Sequence, residues 1–191
     1  QFFGEKQLPA FPTPHPAPRA EKTLPQPEEP SPLPQKPGVE ITPPGPSAAL
    51  PAAKWVPQPF NNCVPATTSM LLQHFGREVT QEQTKAALRT NADDKNVFMH
   101  EMSAYLKMKY GVESRVRLNG TPDKLKTLVA NGVYVILENW LHPNEDIGHA
   151  ILLRGYDDTK GVLVADDSYL GVGKEFPYEE FVNAQWKPFN W

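Results

Sequence analysis

From residue 54 onward, apolar positions fall first at helical spacing and then in short unbroken runs. Val64 to Phe75 sets Met70, Leu71, Leu72 and Phe75 at helical spacing, and Gly76 is a natural C-terminal cap. Thr80-x-x-Gln83 has the form of a capping box and predicts a second helix through Leu88. Asn96 is placed to cap a third, in which Val97, Met102, Tyr105, Leu106 and Met108 recur until Gly111. Thr121-Pro122 opens a fourth, with Leu125, Leu128 and Val129 as its apolar stripe and Gly132 as its stop. The period then changes. Val133 to Leu137, Ala150 to Leu153 and Val162 to Ala165 are short apolar runs bounded by turn residues, which predicts buried strands. Tyr156 to Gly161 is turn chemistry, so the last two runs are expected to pair as an antiparallel hairpin. Tyr178 to Trp186 returns to helix. Helices first and strands afterwards predict an α+β domain, N-terminal helices packed on an antiparallel sheet.

Composition divides the chain before that pattern begins. Of its 22 prolines, 17 lie at or before Pro59. Residues 1–53 have almost no apolar periodicity and are rich in Pro, Ala, Glu and Gln, so they are expected to form a disordered or polyproline-like tether. The alternate prolines from Pro12 to Pro18 could also serve as a ligand for a partner module. Residues 54–191 are expected to fold as one domain, large enough for its own core.

A net charge of −3 and a pI near 6.0 leave no basic footprint for nucleic acid, so no nucleic-acid partner is expected. The longest apolar runs are too short to span a bilayer. A single cysteine excludes an internal disulfide and leaves the compartment open. The chain starts at Gln1 and carries no leader-like stretch, so it reads as a processed or excerpted piece. A Pro-rich tether ahead of a catalytic domain suits an extracellular or cell-surface-tethered protein, although a cytoplasmic one remains open. A monomer is expected.

That cysteine is the chief candidate for chemistry. Gln58-Pro-Phe-Asn-Asn-Cys63 is polar, and Pro65 suits the first turn of a helix, so Cys63 is expected at a helix N-terminus. There a thiol meets the positive end of the helix dipole and unsatisfied backbone N–H groups, surroundings that suit a nucleophile. Gly148-His149 opens the second apolar run, and Asp166-Asp167 closes the third. Cysteine, histidine and acid in that order are the components of a papain-like thiol hydrolase. Neighbouring strand residues face opposite ways, so only one of Asp166 and Asp167 can point at His149, the other being a solvated turn carboxylate. Apolar alternation does not choose between them, because both faces of Val162 to Ala165 are apolar.

His15 lies in the tether, and His74 and His100 read as structural or surface positions within helices. His142 precedes Pro143 in a loop near His149 and could line a cleft. His142, Asp146 and His149 lack helix-based ligand spacing, and Asp93-Asp94 and Asp157-Asp158 lack the alternation of a calcium loop. No metal or cofactor is expected. Trp140 ends a strand ahead of the His149 loop and reads as packing or as the wall of a groove.

Several blocks taken in order resemble the family-39 cysteine peptidases, and in particular their stand-alone bacterial branch. These are Gln58-x-x-Asn-Asn-Cys63-x-Pro-Ala-Thr, Gly148-His149-Ala-Ile-Leu-Leu-Arg-Gly155-Tyr-Asp-Asp, Asp167-Ser-Tyr-Leu-Gly171, Glu180-Phe181 and Trp186. The resemblance covers roughly residues 54–191 and implies the papain-like fold. It implies Cys63 as nucleophile, His149 as general base and Gln58 as a side-chain donor to the oxyanion hole beside the Cys63 N–H. The family's Asp precedes a turn closing on Gly, which favours Asp167 over Asp166 as the group that fixes the histidine tautomer. The pattern departs where the family has Gly after its Cys. Here Val64 follows, and a β-branched residue is expected to crowd the nucleophile.

Three functions fit these residues. The first is hydrolysis of a peptide or related amide bond through an acyl-enzyme at Cys63, with a peptide or protein as substrate. The second is an inactive or weakly active domain that binds an extended peptide in the same groove. The third is transfer of the acyl group to an amine, as in a cross-linking enzyme.

Overall fold

The computed structural model describes residues 40–90 and 96–189. In chain order its elements are β1 (Ser47–Ala49), α1 (Cys63–Gln73), α2 (Gln81–Leu88), α3 (Met99–Tyr110), α4 (Pro122–Ala130), β2 (Val135–Trp140), β3 (Gly148–Asp157), β4 (Val162–Asp167) and β5 (Gly171–Pro177). A helical turn Tyr178–Glu180, a π-helical segment Phe181–Trp186 and a 3-10 turn Lys187–Phe189 follow. The class is α+β, and the expected helices, strands and β3–β4 hairpin are present.

Local chemistry explains the helix ends. Thr80 Oγ1 accepts the Gln83 N–H at 3.3 Å and Gln83 Oε1 accepts the Thr80 N–H at 2.9 Å, so both halves of the capping box form. Thr121 caps α4 by accepting the Lys124 N–H at 3.3 Å, with Pro122 at the first helical position. Helix α3 departs from expectation. It starts at Met99, and Glu101 reaches back to accept the Phe98 N–H at 2.8 Å, so Asn96 is not its cap. Phe75 lies beyond the end of α1 and is exposed, as is Met108 on the outer face of α3.

Strand β3 is the centre of an antiparallel sheet. On one side it pairs with β4, which pairs with β5. On its other side β2 runs along Gly148–Leu153 and β1 along Gly155–Asp157, end to end on the same edge. The domain boundary therefore needs correction. The folded unit begins at Glu40 rather than residue 54, because β1 joins the sheet and Leu50 N–H continues it to Arg154 O at 2.7 Å. A three-residue strand between prolines has no period to read. Its fit depends on Gly155, where a Cβ would stand 3.0 Å from the Ala48 carbonyl oxygen. Of the expected tether, residues 1–39 lie outside the described residues.

Alternate residues of β3 feed two cores. Ala150 and Leu152 join Met70, Leu72, Met102 and Leu106 under α1 and α3. Ile151 and Leu153 join Leu125, Val129, Leu137, Leu163, Phe181 and Trp186 under α4 and the terminal helical segment. Helix α1 is buried along its length from Val64 to Leu72, which makes it the pillar of the first core.

Candidate active site

The site forms where the start of α1 meets the start of β3. Cys63 is the first residue of α1 and is half-buried. One turn along, Thr67 Oγ1 donates to the Ala150 carbonyl at 3.0 Å, and both residues are fully buried. This bond fixes the height of α1 against β3 next to His149. No side chain caps α1, and Pro65 has no N–H to satisfy, so the dipole and the first backbone N–H groups point out at the thiol.

His149 is 3% exposed. Its Nε2 donates to Asp167 Oδ1 at 2.9 Å, which leaves Nδ1 as the nitrogen available to Cys63, a close electrostatic neighbour of the ring. Burial pulls the imidazole pKa down, but the hydrogen bonds to Asp167 and Cys63 and their charges outweigh it, pushing the value up to about 9. Asp167 is itself held: its Oδ1 also accepts the Tyr169 N–H at 2.6 Å and the Leu170 N–H at 3.1 Å. The imidazole is therefore cationic at neutral pH, clamped behind by Asp167 and turned toward Cys63.

Gln58 reaches the same place through a second set of bonds. Its backbone N–H donates to Ser168 O at 2.9 Å, and Ser168 Oγ donates to Gln58 Oε1 at 2.7 Å. With Oε1 so engaged, the amide is oriented with Nε2 as its free-end donor. Further back, Trp55 Nε1 donates to Asp167 O at 3.1 Å and Ala53 N–H to Asp166 Oδ2 at 2.8 Å. Residues 53–58 are thus laced to residues 166–168, and the loop before Cys63 is tied to the strand end behind His149. Ser168 and Trp55 carry no sequence signal for this role.

Gln58, Cys63, His149 and Asp167 are therefore brought together, and Asp166 is not. The expectation that Asp166 would be a solvated turn carboxylate is wrong. It is fully buried, with Oδ1 accepting from Arg154 Nε at 2.8 Å and from the Gly173 N–H at 2.9 Å. Sheet register explains the split. Asp166 faces with Leu152, its partner on β3, whereas Asp167 continues the face of Leu163 and Ala165. Val64 is buried in the first core with Met70 and Leu71, the core against which Cys63 also packs.

The other histidines stay outside this cluster. His74 caps the C-terminal end of α1 and stacks on Tyr134 with centroids 4.0 Å apart; burial lowers its pKa. His100 stacks on Phe98. His142 lies edge-on to Tyr169, two residues beyond Asp167, at 6.2 Å. Trp140 packs edge-on against Phe189 at 4.6 Å. Among the described residues no three His, Cys, Asp or Glu side chains gather to hold a metal ion, and no helix is long and apolar enough to cross a membrane.

Comparison with solved structures finds this arrangement of helices and sheet in cysteine proteases. One is a double glycine motif protease from an AMS/PCAT transporter, determined with its leader peptide. It is 17% identical with a TM-score of 0.52, over 72% of this chain and 91% of that one. Another is xylellain, a cysteine protease from Xylella fastidiosa, 14% identical with a TM-score of 0.54, over 71% of this chain and 81% of that one. At such identities the likeness is one of fold, and the fold is papain-like. Comparison with curated proteins gave no match. The family model described as Peptidase_C39 like matches residues 49–190, a span that begins inside β1 and ends beyond the last helical turn. The chain belongs to the Peptidase_C39-like family.

Proposed function

We propose that the domain is a cysteine peptidase that hydrolyses a peptide or related amide bond through an acyl-enzyme at Cys63. The observation that carries this reading is the buried His149, held at 2.9 Å by Asp167, with Cys63 close enough to help raise its pKa. The Cys63 sulfur attacks the substrate carbonyl carbon. The carbonyl oxygen takes up the negative charge, facing the Cys63 N–H and the Gln58 Nε2–H. As the tetrahedral centre collapses, the C–N bond breaks and the proton on His149 Nδ1 passes to the leaving amine. Water then attacks the thioester with His149 taking its proton, the carboxylic acid leaves, and the thiolate–imidazolium pair returns. Asp167 holds the ring throughout by its Nε2–H. A peptide substrate accords with the family and with the peptide-bound transporter protease of the same fold.

An inactive peptide-binding domain is the second reading, and Val64 in place of glycine is the feature that favours it. Burial of Val64 in the core weighs against it. Alkylation of Cys63 by iodoacetamide as a function of pH, in the native protein and in His149→Ala, tests the choice. The label reports a single site, because the chain has one cysteine. Native protein is expected to react well on the acid side of an ordinary thiol, whose pKa is about 8.5, and His149→Ala to lose that acid limb. Alkylation that follows an ordinary thiol in both proteins would sink the peptidase reading. Once a substrate is found, capture of the acyl group by water rather than by added amine separates hydrolysis from acyl transfer.

A further inference from the structure

The loop Gln58 to Cys63 carries both groups assigned to the oxyanion, the Gln58 amide and the Cys63 N–H, at its two ends. It has little structure of its own. Phe60 is 91% exposed and Asn61 takes a left-handed backbone, φ 59°. Something outside the loop must set the distance between its ends.

One side chain touches both ends. Gln81, the first residue of α2, accepts a hydrogen bond from Asn62 Nδ2 at 2.7 Å and donates its own Nε2–H to the Pro57 carbonyl at 2.8 Å. Pro57 immediately precedes Gln58, and Asn62 immediately precedes Cys63. Asn62 is 1% exposed and stands at the N-cap of α1, yet its side chain does not cap that helix. Turned to Gln81 instead, it leaves the first N–H groups of α1 uncovered. Helix α2 adds a third hold, since Arg89 Nη2 donates to the Asn61 carbonyl. The helix is itself fixed at its start by the Thr80–Gln83 capping box and by Thr84 Oγ1 donating to Pro65 O at 2.8 Å.

We propose that Gln81 is a positioning residue that sets the spacing of the oxyanion donors by tying Pro57 to Asn62, an inference that rests on the peptidase reading above. A planar amide suits the task because one end donates and the other accepts at fixed separation. Misplacement of a reacting group by about 1 Å can cost about a hundredfold in rate, and loss of one oxyanion donor about a hundred- to a thousandfold.

The test uses Gln81→Met, which keeps length and volume but removes both bonds. Gln81→Glu keeps the acceptor for Asn62, turns an oxygen on Pro57 O, and replaces the methionine variant should that fail to fold. Amide hydrogen exchange is read over residues 57–63, and kcat and KM are measured on a peptide substrate in a cycle with Gln58→Ala. Exchange in the loop is expected to quicken while that of β3 and β4 stays native. The single variant is expected to lose about ten- to a hundredfold in kcat with little change in KM and an unchanged pH profile of Cys63 alkylation. The double variant is expected to be no slower than Gln58→Ala alone, because Gln81 acts through that amide. Native exchange in the loop, or costs that simply multiply in the cycle, would overturn the proposal while leaving the peptidase reading intact. A native protein with an ordinary, His149-independent thiol and no turnover would overturn that reading, and the positioning role with it.

Discussion

Asp167→Asn separates the charge behind His149 from its geometry. In the native protein Asp167 Oδ1 takes three N–H donors, from His149 at 2.9 Å, Tyr169 at 2.6 Å and Leu170 at 3.1 Å. An amide of the same shape still offers an oxygen to all three, so the ring stays in place while the negative charge goes. The histidine pKa of about 9, against an ordinary 6.5, corresponds to a preference of about 3 kcal/mol for imidazolium despite burial. Loss of one close opposite charge moves a pKa by about 1–3, so the variant's His149 is expected to titrate between about 6 and about 8. Histidine-labelled NMR follows that titration directly, with the resonance assigned by its absence in His149→Ala. The basic limb of kcat/KM should move with it.

Stability supplies an independent check with a definite sign. Between 6.5 and about 9 the native state keeps a proton on His149 that the unfolded chain has lost. Native stability contributed by this group is therefore complete below about 6.5 and fades as pH rises through about 9. In Asp167→Asn that decline should shrink in step with the fall in the His149 pKa. The slope with pH is the quantity to compare. The amide NH2 replaces Oδ2, which has no hydrogen-bond partner among the described residues, so the absolute stability moves for a second reason. A His149 that still titrates near 9 in the variant would refute the claim that Asp167 sets its charge.

Asp166→Asn should do the opposite: breaking the buried pair with Arg154 is expected to cost about 3 kcal/mol in urea unfolding, while His149 keeps its native titration. A chain starting at residue 54 should be destabilised by several kcal/mol relative to one starting at residue 40. It loses β1, the Leu50 and Ala53 N–H bonds, and the Tyr156 hydroxyl bond to Gly45 O, at about 1 kcal/mol each; equal thermal midpoints would show that the segment is dispensable. Val64→Gly should cost about 2 kcal/mol through lost packing and helix propensity and leave Cys63 alkylation within a few-fold of native. A tenfold faster alkylation would mean that Val64 does crowd the thiol.

The parts of the fold that are legible in the sequence have a strong period or a local chemical signature. Thr80-x-x-Gln83, Thr121-Pro122 and the left-handed Gly111 mark helix ends through bonds between near neighbours, which the sequence states outright. Strands β1 and β5 are hidden for a physical reason. Each lies at the margin of the sheet, one being three residues between prolines and the other Gly171-Val-Gly-Lys-Glu-Phe-Pro177, with its charged residues exposed. Their order comes from pairing with distant strands, and no short window records it. Strand β3 is longer than its apolar run for a related reason. Its apolar run marks the middle, while Gly148-His149 and Arg154 to Asp157 carry polar side chains or none, bonding to segments far away in the chain.

The same distinction governs the site. Cys63 and His149 stand out because a loop-to-helix junction and a strand start are local features, whereas Gln58 is marked only by the family resemblance. The choice between Asp166 and Asp167 is not local, since both faces of β4 are apolar. Register settles it: Leu152 opposite Asp166 belongs to the core under α1, and the neighbouring position turns to the other face, where His149 continues the line of Ile151 and Leu153. Both carboxylates are buried, and each has a partner suited to its face. Arg154, Gly173 and Ala53 close around Asp166 to join three segments of chain, while Asp167 holds the histidine. One strand end thus anchors the N-terminal segment to the sheet and orients His149, so the loop that brings Gln58 to Cys63 and the imidazole are fixed on adjacent residues. The two variants predicted above should separate those duties, one lowering stability without touching the titration and the other moving the titration of His149.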